Sequence, residues 1–516
     1  MSDSLVLLLE ASVQANPEAE ALVMQQRRVP YATLWQQIGW VRQFLLDHGL
    51  QSGDRIAILL ENSPEYVVAY YAGLAAQAVV IGLNTATKSR DLSNWIQHSG
   101  ATWLIADCQH PELAEVAKLN PDVKLLLVGD VKGDVTYPAC FDWQDAIKER
   151  GVTPWRSDID PSSLAAIIYT SGTTGSPKGV MLTHRNLVAN VQSIQSYLQL
   201  QSSDRILNVL PFYYSYGNSV LHTHLAAGGC LVLENSLMYP KKVLELMVQE
   251  KATGFSGVPS TFALLLGRTK LVEFDLSSLR YVTQAGGPMP PAKIRAFREI
   301  LPKTQFIVMY GQTEATARLT YLPAAMLDQK LGSIGVPISG VTIEVRTEQG
   351  AIAPVGEIGE IIASGANISA GYWKDAAKSA EVFVNGWLHT GDLAYRDADG
   401  YLFIEGRSSD MIKTGAHRVS PKEIEEVITE LEGVEEAAVI GIEDEILGQV
   451  IKAIIVPRLD QTLEKRQVQL HCKNNLANYK VPKEIEFVSE LPKTASGKVQ
   501  RFKLQTVGEN HDCETE

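Results

Sequence analysis

The chain has 516 residues, of which 45% are hydrophobic and 20% are charged, and its formal net charge at pH 7 is -13. A chain of this length exceeds what one hydrophobic core organises, so we expect two or more domains. The acidic balance argues against nucleic acid as the main partner, because affinity for a phosphate backbone comes from clustered Lys and Arg.

The N-terminal part of the chain alternates between helical and strand patterns. It begins with no basic region and only five apolar residues in a row, 5–9, too few for a signal peptide or a membrane span, and this pattern predicts an amphipathic helix. Apolar residues at helical spacing over 32–50 precede a strand pattern over 55–60, and the alternation recurs over 65–81 and 220–258. This alternation predicts a mostly parallel α/β sheet.

The pattern changes in the last third of the chain. Short strands separated by Gly and Pro over 340–372 predict an antiparallel, barrel-like subdomain. A capped helix pattern begins at Ser420 and strand patterns follow over 434–442 and 452–456, which predicts a small α+β domain. We therefore expect an N-terminal domain over 1–407 and a C-terminal lid domain over 408–516.

Cysteine usage and hydropathy predict where the protein resides. The chain has five scattered cysteines, an odd number without the spacing of metal ligands, which argues against a disulfide framework and favours a reducing compartment. No stretch approaches the roughly 20 apolar residues of a membrane-spanning helix. A cytoplasmic location is the expectation.

A loop rich in hydroxyls and glycines follows the apolar strand pattern at 164–168. Glycines let backbone N–H groups approach an anion closely, while hydroxyls and a lysine add donors and charge. A Walker loop would end in Gly-Lys-Ser/Thr, but here Pro177 precedes the lysine and Gly179 follows it. An ordinary surface turn is the alternative to a phosphate-binding loop made of Thr170, Ser171, Gly172, Thr173, Thr174, Gly175 and Lys178.

Four further motifs have to be explained together with this loop. They are Gly-Gly-Pro-Met-Pro at 286–290, Tyr-Gly-Gln-Thr-Glu at 310–314, Trp-Leu-His-Thr-Gly-Asp-Leu at 387–393 and Pro-Lys-Thr-Ala-Ser-Gly-Lys-Val-Gln-Arg at 492–501. In this order and spacing the five motifs resemble the acyl-adenylate-forming superfamily, which includes acyl-CoA synthetases, peptide-synthetase adenylation domains and luciferase-type enzymes. The resemblance covers nearly the whole chain.

The resemblance implies a reaction in two steps. A carboxylate attacks the α-phosphorus of ATP to give acyl-AMP and pyrophosphate, and a thiol then displaces AMP. Both steps concentrate negative charge, so catalysis depends on positioning and charge stabilisation. The expected cofactors are ATP, Mg2+ and either CoA or the phosphopantetheine of a carrier protein.

The resemblance also assigns roles to the nucleotide motifs. The loop 170–178 is expected to hold the β- and γ-phosphates, and Thr313 the α-phosphate. Glu314 is expected to bind Mg2+, and Asp392 to accept both ribose hydroxyls. A first-turn helix carboxylate and a turn aspartate are the respective alternatives. The other implied nucleotide contacts are Gly286, Gly287, Pro288, Tyr310, Gly311, Gln312 and Arg407.

Lys498 lies in Ser-Gly-Lys, at the tip of a glycine-containing turn. The resemblance implies that it reaches the α-phosphate as the adenylation catalyst, whereas an ordinary solvated lysine is the alternative. Rotation of the C-terminal domain would then present a thiol channel beside Lys413 and Gly415. Relatives usually carry Asp or Lys at the hinge, and Ser409 stands there in this chain, which weakens the inference of rotation.

The segment 211–229 is expected to select the acid. In an ungapped alignment with amino-acid-activating domains, Ser215 replaces the aspartate that pairs with the substrate ammonium, and the segment contains no acidic residue. A buried ammonium without a counter-charge is unfavourable, so we expect an apolar fatty or aryl acid. The predicted pocket residues are Tyr214, Ser215 and Ser219. Tyr214 and Tyr216 could equally be core aromatics, and His222 and His224 are predicted to be structural.

Three functions remain open at this stage. The first is an acid–CoA ligase for an apolar acid. The second is a free-standing enzyme that loads an acyl or amino acid onto a separate carrier protein in natural-product biosynthesis. The third is a light-producing oxidase or a non-catalytic adenylate-binding protein. The intact Lys498 and Glu314 disfavour a non-catalytic protein, and nothing in the sequence specifically supports oxidation.

Overall fold

The computed structural model describes residues 4–130, 139–153, 159–170, 177–407, 410–414, 417–444, 448–458, 461–493 and 499–506. Two large sheets, one antiparallel sheet and a C-terminal α+β unit follow one another, so the predicted fold class is confirmed. None of the described helices is long and apolar enough to cross a membrane.

The first large sheet has seven strands in the order β7-β6-β5-β3-β4-β8-β9. Its strands pair in parallel except for β8 and β9, which pair in antiparallel fashion. The strands are β3 (Arg55–Leu59), β4 (Val79–Gly82), β5 (Trp103–Asp107), β6 (Lys124–Val128), β7 (Cys140–Asp142), β8 (Leu164–Thr170) and β9 (Lys178–Thr183).

The second large sheet has nine strands in the order β16-β15-β14-β13-β12-β10-β11-β1-β2. Its central strands are parallel and its edge pairs are antiparallel. The strands are β1 (Glu20–Met24), β2 (Arg27–Pro30), β10 (Arg205–Asn208), β11 (Cys230–Leu233), β12 (Gly254–Gly257), β13 (Tyr281–Gln284), β14 (Gln305–Tyr310), β15 (Thr320–Leu322) and β16 (Val336–Pro337).

The helices of this part pack on the two large sheets and on one another, except the last, Ala376–Val382, which packs on the antiparallel sheet. The expected helix at 32–50 and strand at 55–60 are confirmed as α2 and β3. The helices are α1 (Leu5–Ala15), α2 (Tyr31–Asp47), α3 (Pro64–Ala75), α4 (Ser89–Ser99), α5 (Leu113–Leu119), α6 (Trp143–Ala146), α7 (His184–Leu198), α8 (Ser215–Ala226), α9 (Pro240–Gln249), α10 (Pro259–Arg268), α11 (Pro291–Ile300) and α12 (Ala376–Val382).

The predicted barrel-like subdomain is an antiparallel sheet, and the C-terminal unit contains a further sheet with three helices. The antiparallel strands are β17 (Val341–Arg346), β18 (Gly359–Gly365), β19 (Phe383–Val384), β20 (Trp387–Arg396) and β21 (Leu402–Arg407). The C-terminal elements are β22 (Ile412–Thr414), β23 (His417–Val419), α13 (Pro421–Glu430), β24 (Val434–Asp444), β25 (Gly448–Pro457), α14 (Lys465–Asn475), β26 (Glu484–Phe487) and α15 (Arg501–Thr506).

The predicted domain boundary, between 407 and 408, directly follows β21. β21 ends at Arg407, and the amide of Asp410 donates to its carbonyl at 3.0 Å. The expected hinge residue, Ser409, lies outside the described residues. The C-terminal unit contacts the rest through hydrogen bonds to main-chain carbonyls, among them Lys422 Nζ to Ile404 O at 2.7 Å, Lys293 Nζ to Glu435 O at 3.1 Å and the Ser420 hydroxyl to Glu405 O.

Two helices, α3 and α8, lie in the interior of the N-terminal part. Every residue of α3 except Glu65 is buried, which explains its nearly apolar sequence. It packs so closely on the first sheet that a Cβ at Gly73 would lie 2.8 Å from Val80 Cγ2. Both helices nevertheless carry polar aromatic side chains, among them Tyr71 on α3 and His222 and His224 on α8.

His222 and His224 are buried and contact core residues, which agrees with the structural role that the sequence predicts. His224 Nδ1 lies 2.8 Å from Val220 O, and its Nε2 lies 2.6 Å from Tyr281 Oη. His222 Nδ1 lies 3.0 Å from Tyr71 Oη, while its Nε2 has no partner among the described residues. Burial disfavours the charged ring, which lowers the pKa of His222 to about 3 and that of His224 to about 4.

We expect the free energy of unfolding to fall as the pH drops below about 6.5, the ordinary pKa of histidine. Below this pH the unfolded chain binds a proton that the folded His224, with a pKa of about 4, does not bind. The loss is about 1.4 kcal/mol per pH unit for one histidine. Chemical denaturation should show a shallower pH dependence for His224→Gln, and equal slopes in both proteins would contradict the expectation.

Candidate active site

Three of the five predicted motifs lie at or beside the carboxyl end of the second sheet. Strands β13 and β14 are parallel neighbours, and each runs directly into one of the motifs, at 286–290 and 310–314. In a parallel α/β sheet, ligands bind at this edge because the loops that follow the strands lie side by side. The antiparallel sheet adds the motif on β20.

A buried carboxylate forms the centre of this region. Asp392 lies within β20 and is 6% exposed, so it is not the turn aspartate of the alternative interpretation. Tyr310 donates its hydroxyl to one carboxylate oxygen at 2.6 Å, and Arg407 Nε donates to the other at 3.0 Å. Because an ionised carboxylate has about four acceptor positions, two remain for further donors.

The charges of this group influence one another. Burial and the neighbouring Asp392 carboxylate raise the pKa of Tyr310 well above its usual value, so the phenol stays protonated and donates. The same carboxylate raises the pKa of Arg407. The three side chains therefore present a neutral donor, an anion and a cation at one edge of the site.

The turn between β14 and β15 is held in a single conformation. A Cβ at Gly311 would lie 2.1 Å from the carbonyl oxygen of Ala317, so the turn requires glycine there. Thr316 has a φ of +64°, which is unfavourable for a β-branched residue, and its hydroxyl donates to Asn367 O at 2.7 Å. Asn367 Nδ2 donates to the carbonyl of Arg318 at 2.7 Å. These contacts fix the backbone on both sides of Thr313 and Glu314.

Thr313 and Glu314 point to different neighbours. Thr313 Oγ1 lies 3.3 Å from the hydroxyl of Ser215, the first residue of α8. Glu314 accepts the Tyr372 hydroxyl at 2.8 Å, and burial together with this carboxylate raises the pKa of Tyr372. Mg2+ commonly binds one or two carboxylates together with substrate phosphates, so a single carboxylate at this position fits a Mg2+ site.

The glycine motif after β13 leaves part of its backbone exposed. Gly286 has a φ of +87°, which favours glycine. Gln284 Nε2 donates to Gly287 O at 2.8 Å and fixes the turn. Gly287 and Pro288 are exposed, so a flat ring could approach their backbone closely.

The residues of the predicted acid segment fall into two groups. Tyr214 is half-buried, with its hydroxyl 3.4 Å from Asn84 Nδ2, and burial raises its pKa to about 12. Ser219 is buried, and its hydroxyl donates to Tyr216 O at 2.7 Å. Tyr216 is also buried, and its hydroxyl donates to Thr283 O at 3.0 Å. Ser215 is the member of the segment that contacts another predicted site residue.

The phosphate loop is described at its two ends. Thr170 ends β8 and Lys178 begins β9, and the two residues are paired across the strands. Lys413 belongs to β22, in the C-terminal unit. The remaining predicted residues lie outside the described residues, namely Ser171, Gly172, Thr173, Thr174, Gly175, Gly415 and Lys498.

Three residues of the site were not predicted. Tyr372 and Asn367 reach the turn from 58 and 49 residues away in the chain, and nothing in their local sequence indicates such contacts. Arg318 is a lone charge in the otherwise uncharged segment 315–322, which is a detectable signal. A charged residue in such a segment is either paired or functional.

Comparison with known proteins identifies both parts of the chain. Residues 9–373 match the family model of the AMP-binding enzymes, and residues 423–498 match the model of the AMP-binding enzyme C-terminal domain. A feruloyl-CoA synthase of Amycolatopsis sp is 34% identical over 95% of this chain and 96% of its own. A long-chain-fatty-acid–CoA ligase of Bacillus subtilis is 29% identical over 98% and 94%.

A solved structure agrees with these relatives. The anthranilate CoA ligase AuaEII, in complex with anthranoyl-AMP, superposes with a TM-score of 0.89 at 28% identity and covers 98% of this chain and 97% of its own. The resemblance inferred from the five motifs is confirmed. The chain belongs to the AMP-binding, acyl-adenylate-forming family of enzymes.

Proposed function

We propose that the protein is an AMP-forming ligase that joins a carboxylic acid to the thiol of CoA through an acyl-AMP intermediate. The observation that supports this proposal best is the 3.3 Å contact between Thr313 and Ser215. It joins the residue expected at the α-phosphate to the helix expected to bind the acid. The two groups that must react would therefore meet at this contact.

The buried carboxylate supports the nucleotide half of the site. Asp392 has two acceptor positions left beside Tyr310 and Arg407, which suits the two adjacent hydroxyls of a ribose. The ring of the base would lie against Gly286, Gly287 and Pro288. Mg2+, held by Glu314 and phosphate oxygens, would neutralise part of the phosphate charge.

Two residues are proposed to act on the charge that develops at phosphorus. Thr313 would donate its hydroxyl to the α-phosphate, and Lys498 would bring a positive charge from the C-terminal domain. After the carboxylate has displaced pyrophosphate from ATP to give acyl-AMP, the thiol would approach beside Lys413 and Gly415 and displace AMP.

CoA is the proposed acceptor because the relatives are named as CoA ligases. A separate carrier protein in natural-product biosynthesis stays the alternative, and assays with CoA and with apo- and holo-carrier protein distinguish the two. The relatives named for fatty and aryl acids agree with the expectation of an apolar acid without testing it.

Asp392→Asn should weaken AMP binding by about 10- to 100-fold, because hydrogen bonds to a charged acceptor contribute about 1.5–3 kcal/mol. Isothermal calorimetry with AMP measures the change. Asp397→Asn is the matched control, since Asp397 follows on the same hairpin but pairs with Lys330 at 2.7 Å. Equal AMP affinity in both variants and the wild type would refute the ribose assignment.

Glu314→Gln should raise the Mg2+ concentration needed for half-maximal activity about tenfold, because it removes the anionic ligand. Glu344→Gln, which changes a carboxylate paired with Arg346 in the antiparallel sheet, serves as control. Tyr372→Phe separates loss of the ligand from loss of its hydroxyl partner. A Mg2+ titration that Glu314→Gln leaves unchanged would favour a structural carboxylate.

Lys498→Ala should slow ATP–pyrophosphate exchange by about 10²–10³-fold, the usual effect of removing one charge-stabilising group. Transfer of the acyl group from supplied acyl-AMP to CoA should persist. Lys483→Ala changes an exposed lysine of the same domain and should affect neither step. Equal loss of both steps in Lys498→Ala contradicts its role in adenylation.

The wild-type exchange assay, run with fatty, aryl and amino acids, tests the function as a whole. Exchange with at least one acid is expected. Absence of exchange with every acid offered would overturn the proposed function.

A further inference from the structure

Arg318 carries a buried charge close to the proposed acid site. It is 3% exposed and follows the turn that holds Thr313 and Glu314. Its Nε lies 3.2 Å from Met309 Sδ, and its Nη1 donates to Ala317 O at 3.0 Å. The guanidinium also stacks on the ring of Tyr216, with 4.4 Å between Cζ and the ring centroid.

These contacts leave much of the guanidinium unused. It has five N–H donors, whereas a thioether is a weak acceptor and an aromatic face offers no lone pair. No Asp or Glu oxygen of the described residues lies within 4.0 Å of it. A buried cation is ordinarily paired with an anion, because removing it from water is costly.

Other arginines of the chain show the usual arrangement. Arg280 binds the buried carboxylate of Asp204 at 2.6 Å. Arg42, which is also buried, donates to three oxygens, the Ala75 carbonyl at 3.0 Å and the carbonyl and hydroxyl of Thr153 at 3.3 Å each. Arg318 has fewer oxygen partners, the Ala317 carbonyl and the Tyr197 hydroxyl, so it is the less satisfied of the two.

The position of Arg318 relates it to the acid. Tyr216, on which it stacks, directly follows Ser215, and Ser215 contacts Thr313. The carboxylate that reacts would lie at the contact between Ser215 and Thr313. Tyr216 is the next residue of α8, so the rest of the acid would have to extend from this contact toward the Arg318–Tyr216 stack.

We propose that Arg318 determines substrate specificity by binding a second anionic group of the acid, a carboxylate or a sulfonate. The planar guanidinium pairs with either group through two parallel hydrogen bonds. This inference rests on the proposed function and refines the expectation of an apolar acid. The body of the acid would pack on aromatic rings, while its far end would carry negative charge.

Matched pairs of acids test the proposal. Hexanoate is compared with adipate, and benzoate with its carboxy- and sulfo-substituted forms, by the specificity constant for ATP–pyrophosphate exchange. The wild type should prefer the doubly charged member of at least one pair. Arg318→Met, which keeps an unbranched apolar side chain and removes the charged guanidinium, should lower that preference by about 10- to 100-fold, and Arg318→Lys should lower it less.

Arg42→Met is the control for loss of a buried arginine, and it should reduce stability without changing the ratio within a pair. The melting temperature with non-hydrolysable acyl-sulfamoyl adenylates, with and without the second anion, gives a readout that needs no turnover. If Arg318→Met does not fold, the ratio of specificity constants within each pair of acids, measured for the wild type and for Arg318→Lys, tests the proposal.

Preference for singly charged acids in the wild type, or a ratio that Arg318→Met leaves unchanged, would overturn the inference while leaving the ligase function intact. Absence of exchange with any acid would instead overturn the proposed function. Comparison of the carboxy-substituted with the sulfo-substituted acids identifies which anionic group Arg318 binds.

Discussion

The site depends on one tight reversal of the chain after β14. Gly311 lies against the Ala317 carbonyl so closely that no side chain fits between them, and Asn367 ties the far end of the turn to the antiparallel sheet. The seven residues enclosed by this reversal contribute a hydroxyl at Thr313 and a carboxylate at Glu314, and Arg318 follows directly. Their relative positions are therefore set by backbone geometry more than by side-chain packing.

The second constraint is the burial of α8 between the sheets. A helix in this position needs apolar residues, yet α8 carries Ser215, Ser219 and two histidines. Most of these polar groups are satisfied within the helix or by neighbouring tyrosines. Such a helix is stable because its polar groups are paired, and its first turn can present polar side chains to the site.

Much of the architecture could be predicted from the sequence because it follows from local patterns. The spacing of apolar residues indicated α2 and β3 within a few residues, and the change to short strands indicated the antiparallel sheet. The five motifs were recognisable because they need particular residues, such as glycine at Gly286, where φ is +87°. Local sequence was therefore sufficient to identify the segments of the nucleotide region.

What the sequence could not supply were contacts between distant segments. The pairing of Glu314 with Tyr372, and of the turn with Asn367, joins residues about 50 positions apart, and sheet order determines such neighbours. Asp392 was open to interpretation as a turn residue because Thr-Gly-Asp is also good turn chemistry, and only the structure shows it inside β20. The stack of Arg318 on Tyr216 was hidden for the same reason.

The contacts between the C-terminal unit and the remainder have a mechanical consequence. Lys422 and Lys293 each donate an ammonium hydrogen to a main-chain oxygen across the boundary. Solvent molecules can replace either partner with little net change in enthalpy, since both groups are well hydrated when separated. Hydrogen bonds of this kind exchange readily with water, so the C-terminal unit could rotate without disrupting a packed hydrophobic layer at those two points.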